Sequence, residues 1–142
     1  YYKSFLHLYQ KNDNFYFSPE ALHVTDSLMI SIDTLCQSYQ SRLLVMYVPS
    51  AVEVRNPNEI DYLPAGISPA DTTAFDTDRG RKHLAALTAQ RELPFLDLCI
   101  PLNRATSPPY FSASWHWNPT GHKIAAVSLV KFLLENLHVA TK

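Results

Sequence analysis

The chain has 142 residues, of which 46% are hydrophobic and 18% are charged, and its formal net charge is -1. This composition is typical of one globular domain that can bury a core, and the lack of a basic run argues against nucleic acid as a partner. No apolar run reaches the length of about 18 residues that a membrane-spanning helix needs. The three glycines are too scattered for a glycine-rich phosphate loop.

The first third of the chain predicts a strand, a helix and a second strand. Residues 4–9 are mostly apolar and predict a strand. Residues 26–40 predict a helix with one buried face, capped by Thr25 or Asp26. Its apolar residues at helical spacing are Leu28, Ile32, Leu35, Cys36 and Tyr39. Residues 43–48 are a continuous apolar run before a proline, which predicts a strand buried on both faces of a parallel sheet.

The rest of the chain continues this alternation. Residues 51–77 are rich in Pro, Asp, Asn and Thr and predict a long surface loop. A helix over 78–90 should bury Leu84 and Leu87, and residues 94–98 should form the next strand. The last helix should run over 119–137 and pack heavily on the sheet, because its apolar residues cover more than one stripe.

Alternating strands and helices predict an α/β fold, a three-layer α/β/α sandwich with a parallel sheet. Residues 1–142 should form a single domain. Three strands are few for a parallel sheet, so the chain is interpreted as the C-terminal part of a larger domain. An exposed strand edge would follow, and we expect the chain to form a homo-oligomer or to pair with a missing N-terminal half.

A chemically informative motif lies near the end of the chain. It reads Ser-Trp-His-Trp-Asn-Pro-Thr-Gly-His over residues 114–122. His116 comes just before Asn118 and Pro119, which are typical of an N-cap and a first helical position. A helix start fixes the loop before it, so the imidazole should be held in one orientation, as a general base requires.

This motif resembles the last block of the SGNH (GDSL-like) hydrolase superfamily. It is closest to the branch whose block reads Asp-x-His-Trp-Asn-x-x-Gly-His and which includes bacterial polysaccharide O-acetylation proteins. The apolar strand ending in Pro49-Ser50 and the Phe-Leu-Asp-Leu strand at residues 95–98 resemble two further blocks of that branch. The resemblance implies a flavodoxin-like sandwich and a serine esterase or O-acyltransferase that acts on acylated carbohydrate or a similar ester.

The resemblance also implies roles for individual residues. His116 corresponds to the general base, and Ser114 occupies the position of the aspartate that orients it. Asn12, after the first predicted strand, corresponds to an asparagine that donates to the oxyanion, although Gln10 replaces the glycine of that block. No Gly-Asp-Ser occurs, and Gly66-Ile67-Ser68 lacks a strand-to-helix elbow, so the nucleophile is absent from this chain.

Other interpretations of the same residues remain open. Trp115 and Trp117 either contact a sugar substrate or only pack the loop. His116 and His122 lack a third nearby ligand, so no metal and no cofactor are predicted. Because a serine cannot offset imidazolium charge, the alternative function is a catalytically inactive carbohydrate-binding or interaction module. The resemblance suggests a periplasmic or secreted bacterial protein.

Overall fold

The computed structural model describes residues 6, 8–12, 17–55, 60–63 and 67–137. These residues form a mixture of helices with one small parallel sheet, which places the chain in the α/β class. The elements are α1 (Pro19–Ser38), β1 (Val45–Tyr47), α2 (Ala51–Val54), α3 (Arg79–Gln90), β2 (Phe95–Asp97), α4 (Cys99–Asn103) and α5 (Pro119–Leu137).

The sheet contains both of the strands that were predicted with an apolar run. β1 and β2 pair in parallel, with Val45 opposite Phe95. The prediction that β1 is buried on both faces is wrong, because Met46 and Val48 are exposed while Val45 is buried. In the described part of the chain β1 pairs with β2 alone, and the opposite edge of β1 has no strand beside it.

Helix α1 begins earlier than the sequence predicted. Ser18 is its N-cap, because the Ser18 hydroxyl accepts a hydrogen bond from the Ala21 amide at 3.1 Å and Pro19 takes the first helical position. The predicted cap at Thr25 or Asp26 is therefore wrong. The Thr25 hydroxyl instead donates to the Ala21 carbonyl within the helix.

The predicted buried face of α1 points outward. Its apolar residues are exposed, Leu28 by 60% and Tyr39 by 76%, and Ile32 and Leu35 resemble them. The buried residue of this helix is Asp33, whose carboxylate accepts from the Gln37 amide at 2.9 Å. The polar side of α1 thus faces the protein and its apolar side does not.

The bounds of α3 and α5 match the predictions closely, and α5 has the predicted limits. Leu87 is buried and Leu84 is half-buried. Heavy packing of α5 on the sheet is not observed, because α5 packs chiefly on α4 among the described elements and leaves Val127 and Val130 exposed.

The predicted first strand over residues 4–9 is wrong where the structure describes it. The amides of Tyr9 and Gln10 donate to the Leu6 carbonyl, which closes a helical turn. Residues 1–5 and 7 lie outside the described residues. The chain then runs antiparallel to a segment around Phe75, through an isolated bridge with Gln10.

The core has two parts. The larger cluster contains Leu6, Tyr9, Ala51, Val52, Ile60, Phe75 and Tyr110, and the smaller contains Leu98, Leu102 and Ala125. Four members of the larger cluster come from the segment predicted as a long surface loop, residues 51–77. Cys36 and Cys99 are both free thiols. Within the described ranges, no helix has the length and apolarity to cross a membrane.

Candidate functional site

The His116 loop, residues 108–118, is fastened to the carboxyl end of β1. Tyr110 forms an antiparallel bridge with Trp117, and the Phe111 amide donates to the His116 carbonyl at 3.2 Å. The buried Tyr110 hydroxyl donates to the carbonyl of Pro49 at 2.5 Å. Since Pro49 follows β1 directly after Val48, the loop lies at the sheet edge where α/β folds commonly bind ligands.

Asn118 connects this loop to helix α5. Its side-chain oxygen accepts from the Gly121 amide at 3.1 Å, which confirms the predicted N-cap. Its amide nitrogen donates to the carbonyls of Pro108, at 2.7 Å, and Tyr110, at 3.3 Å. One side chain therefore caps the helix and closes the loop.

Gly121 is required by the close approach of the loop to α5. A Cβ atom at this position would collide with the backbone oxygen of Pro109 and would lie 3.0 Å from the Cβ of Trp117. Backbone cannot yield as a flexible side chain can, so only glycine fits. The Asn-Pro-Thr-Gly part of the motif thus has a structural explanation.

His116 is exposed, and its ring lies 5.9 Å from that of Trp115. The Ser114 hydroxyl accepts a hydrogen bond from the His116 backbone amide at 3.2 Å. In the described part of the chain no side chain hydrogen-bonds to the His116 ring. Asp97 does not take this role, because its oxygens accept from the Cys99 amide at 2.9 Å and from Arg81 at 3.0 Å.

The two tryptophans of the loop have different surroundings. Trp115 is 46% exposed and meets Tyr62 edge-on, with ring centroids 6.3 Å apart. Trp117 is half-buried and packs against both core clusters. Its ring also lies edge-on to Tyr110 and to His122. Trp115 is therefore the one that a ligand could contact over a large area.

Asn12 is exposed in a turn and does not follow a strand. The turn is held by Lys11, whose backbone amide donates to Ala74 at 2.9 Å and whose ammonium donates to the Thr72 carbonyl at 2.6 Å. Gly66 lies outside the described residues, and Ser68 is exposed.

A second polar centre, which the sequence reasoning missed, surrounds Glu53. Its carboxylate accepts from the Tyr47 hydroxyl at 2.5 Å and from the Ser50 amide at 2.6 Å. The Tyr9 hydroxyl lies 3.0 Å from the same carboxylate. The available signal was the Ser50-x-x-Glu53 spacing after a strand, which is typical of a capping box.

Burial and charge shift the titration of the groups beside Glu53. Burial, together with the nearby Glu53 carboxylate, raises the pKa of the Tyr9 hydroxyl. Burial and the hydrogen bond to Glu53 raise the pKa of Tyr47. Burial, followed by the charges of Glu53 and Asp97, raises the pKa of the Cys99 thiol to about 12. Cys99 is therefore a neutral thiol near neutral pH and a poor nucleophile.

An ion-pair network borders this centre. Arg81 bridges Asp78, at 2.7 Å, and Asp97, at 3.0 Å. The Arg81 hydrogen bond holds the pKa of Asp78 below its usual range. The network fixes Arg81 at the carboxyl end of β2.

The described residues contain no group of three or more His, Cys, Asp or Glu side chains arranged to hold a metal ion. Comparison with protein-family models, with curated proteins and with solved structures gives no match.

Proposed function

We propose that this chain is the base-bearing, C-terminal part of an SGNH-type serine esterase or O-acyltransferase that acts on an acylated carbohydrate or a similar ester. The observation that carries the proposal is the position of His116. Its ring is exposed on a loop that is fastened to the carboxyl end of a parallel strand by Tyr110 and Asn118. The proposed whole domain is a three-layer α/β/α sandwich.

In the proposed reaction a serine outside residues 1–142 attacks the acyl carbonyl. His116 takes the serine proton, and the alkoxide forms the bond to carbon. The alcohol or sugar oxygen then leaves with the proton that His116 returns. Water or an acceptor hydroxyl repeats the sequence on the acyl-enzyme. The resemblance assigns oxyanion donation to Asn12.

Ser114 makes this a slow version of the mechanism. Its hydroxyl is turned to the His116 backbone amide, so no carboxylate offsets the charge of the protonated ring. Loss of that charge in a serine triad costs on the order of 10⁴ in turnover. We therefore expect weak hydrolysis by the full-length gene product and none by residues 1–142 alone.

The test is labelling of the full-length gene product with a fluorophosphonate, which reacts with activated serines, together with p-nitrophenyl acetate hydrolysis. We expect His116→Gln to reduce both by about 100-fold or more, as loss of a general base does. His122→Gln is the matched control, because His122 is also exposed and belongs to the same motif. Equal labelling of both variants would refute the assignment of His116.

A gain-of-function variant tests the assignment of Ser114. An aspartate can keep the hydrogen bond to the amide two residues on, as serine does, and its second oxygen can then reach the ring. Ser114→Asp should raise hydrolysis in the full-length gene product. Ser112→Asp, on an exposed neighbour, is the control. Unchanged turnover in Ser114→Asp would refute this role.

A second candidate is a non-catalytic carbohydrate-binding module. It is favoured by the exposed ring of Trp115, which can stack on a sugar, and by the orientation of the Ser114 hydroxyl away from the imidazole. Saturable binding of an acetylated oligosaccharide, lost in Trp115→Ala without any hydrolysis or labelling, would support this candidate and contradict the first.

A further inference from the structure

A cleft of about 300 Å³ opens at the carboxyl ends of β1 and β2. The side chains that line it are Glu53, Asp78, Arg81, Cys99, Ile100, Asn103 and Arg104. This volume lies at the lower end of the range of about 300–1,000 Å³ that is usual for small-molecule sites. The cleft therefore suits a ligand of about one ring in size.

The lining is polar and electrically balanced. It holds two carboxylates, Glu53 and Asp78, and two guanidinium groups, Arg81 and Arg104. Three of these are already fixed by hydrogen bonds within the protein. Arg104 is exposed and forms no hydrogen bond or ion pair with another described residue. A balanced lining gives no strong preference for an anion or a cation.

The cleft offers both donors and acceptors. The Asn103 amide nitrogen donates to the Cys99 carbonyl at 2.9 Å, which fixes the amide and leaves its oxygen as an acceptor. Arg104 supplies donors, and the Glu53 carboxylate can accept one bond more than the three it has. A hydroxyl both donates and accepts, so adjacent hydroxyls on a ring match this set.

A second cleft, of about 200 Å³, adjoins the first at Asn103. It runs past Thr106 and Ser107 to Pro108 and Pro109. Pro108 is the residue whose carbonyl the Asn118 side chain binds, so this cleft ends at the His116 loop. The two clefts form one polar groove, which we call the Asn103 groove.

We infer that the Asn103 groove binds a neutral carbohydrate chain, with one hexopyranose ring in the cleft between Asn103 and Arg104. The inference deepens the proposed function and rests on it, since the groove would hold the sugar whose acyl ester is presented at His116. It assigns to Asn103 and Arg104 the recognition of uncharged hydroxyls.

The test is isothermal titration of the full-length gene product with cellohexaose, chitohexaose and hexagalacturonate. We expect a neutral hexasaccharide to bind saturably and Asn103→Ala and Arg104→Gln each to weaken binding about tenfold, as loss of one or two hydrogen bonds does. Asn136→Ala and Arg91→Gln are matched controls. Asn136 also donates to the carbonyl four residues before it, and Arg91 is an exposed arginine at a helix end.

Three results would overturn the inference. They are no binding of either neutral hexasaccharide at concentrations up to about 10 mM, binding that Asn103→Ala leaves unchanged, and binding of hexagalacturonate alone with loss in Arg104→Gln, which would indicate an anion site. The same titration of His116→Gln separates the two proposals. Binding retained without ester hydrolysis would leave the groove standing while the catalytic proposal failed.

Discussion

Replacing Glu53 with glutamine should destabilise the protein by about 2 kcal/mol. The carboxylate accepts from Tyr47, Ser50 and Tyr9 at 2.5, 2.6 and 3.0 Å. A hydrogen bond to a charged group contributes about 1.5–3 kcal/mol and a neutral one about 0.5–1.5, so each bond should weaken by about 1 kcal/mol. Partial solvent access to Tyr47 and Ser50 lowers the sum to about 2 kcal/mol.

Urea denaturation followed by circular dichroism at neutral pH measures this loss, with an unchanged m value as the sign of an intact fold. Glu135→Gln is the control, because Glu135 is exposed and lies 3.9 Å from Lys131 in a surface pair. Its loss should stay below about 0.5 kcal/mol.

A double-mutant cycle of Glu53→Gln with Tyr47→Phe should give a coupling of about 1 kcal/mol, because the two side chains share the shortest of these hydrogen bonds. Zero coupling together with a loss no larger than that of Glu135→Gln would refute the assignment of Glu53 as the polar anchor of the core.

Three further predictions concern other parts of the chain. Gly121→Ala should cost about 3 kcal/mol by overpacking, whereas Gly80→Ala, whose Cβ would lie 3.6 Å from the Phe17 ring, should be neutral or slightly stabilising in the same urea assay. Because the pKa of Cys99 is about 12, iodoacetamide at pH 8 should alkylate it more slowly than Cys36 in the folded protein and equally fast in urea. That folded-state pKa exceeds the unfolded value of about 8.5, so the contribution of this thiol to stability should be complete below pH 8.5 or so and fall as the pH rises towards 12. The exposed apolar face of α1 should cause concentration-dependent self-association in sedimentation, and Leu35→Lys should weaken it; equal sedimentation of both proteins would contradict this.

Local sequence signals predicted the helices and strands well where they were strong. Asn118-Pro119 placed the start of α5 correctly, because a side-chain cap and a proline at the first position act within a few residues. The short helices α2 and α4 were missed. Each holds at most five residues, too few to show a helical period, and tertiary contacts stabilise them.

The candidate site was predicted only in part. The capped loop that carries His116 follows from its sequence, since Asn118 and Gly121 act on immediate neighbours and on the loop beside them. Glu53 was not found, because its partners Tyr9 and Tyr47 come from separate segments of the chain. Contacts between distant segments leave no periodic signal in one sequence.

Helix α1 shows why a correct helix can be given the wrong buried face. Its apolar residues recur at helical spacing, and that spacing correctly predicted a helix. Periodicity states which residues share a face but not which neighbour covers it. Here the protein contacts the opposite side, where Asp26 lies 2.8 Å from His83 of α3 and Asp33 is buried. A carboxylate is costly to bury, whereas an exposed leucine forfeits only its own burial free energy, about 1.5–3 kcal/mol when complete. The orientation of α1 is therefore explained if another apolar surface covers Leu28 and Leu35.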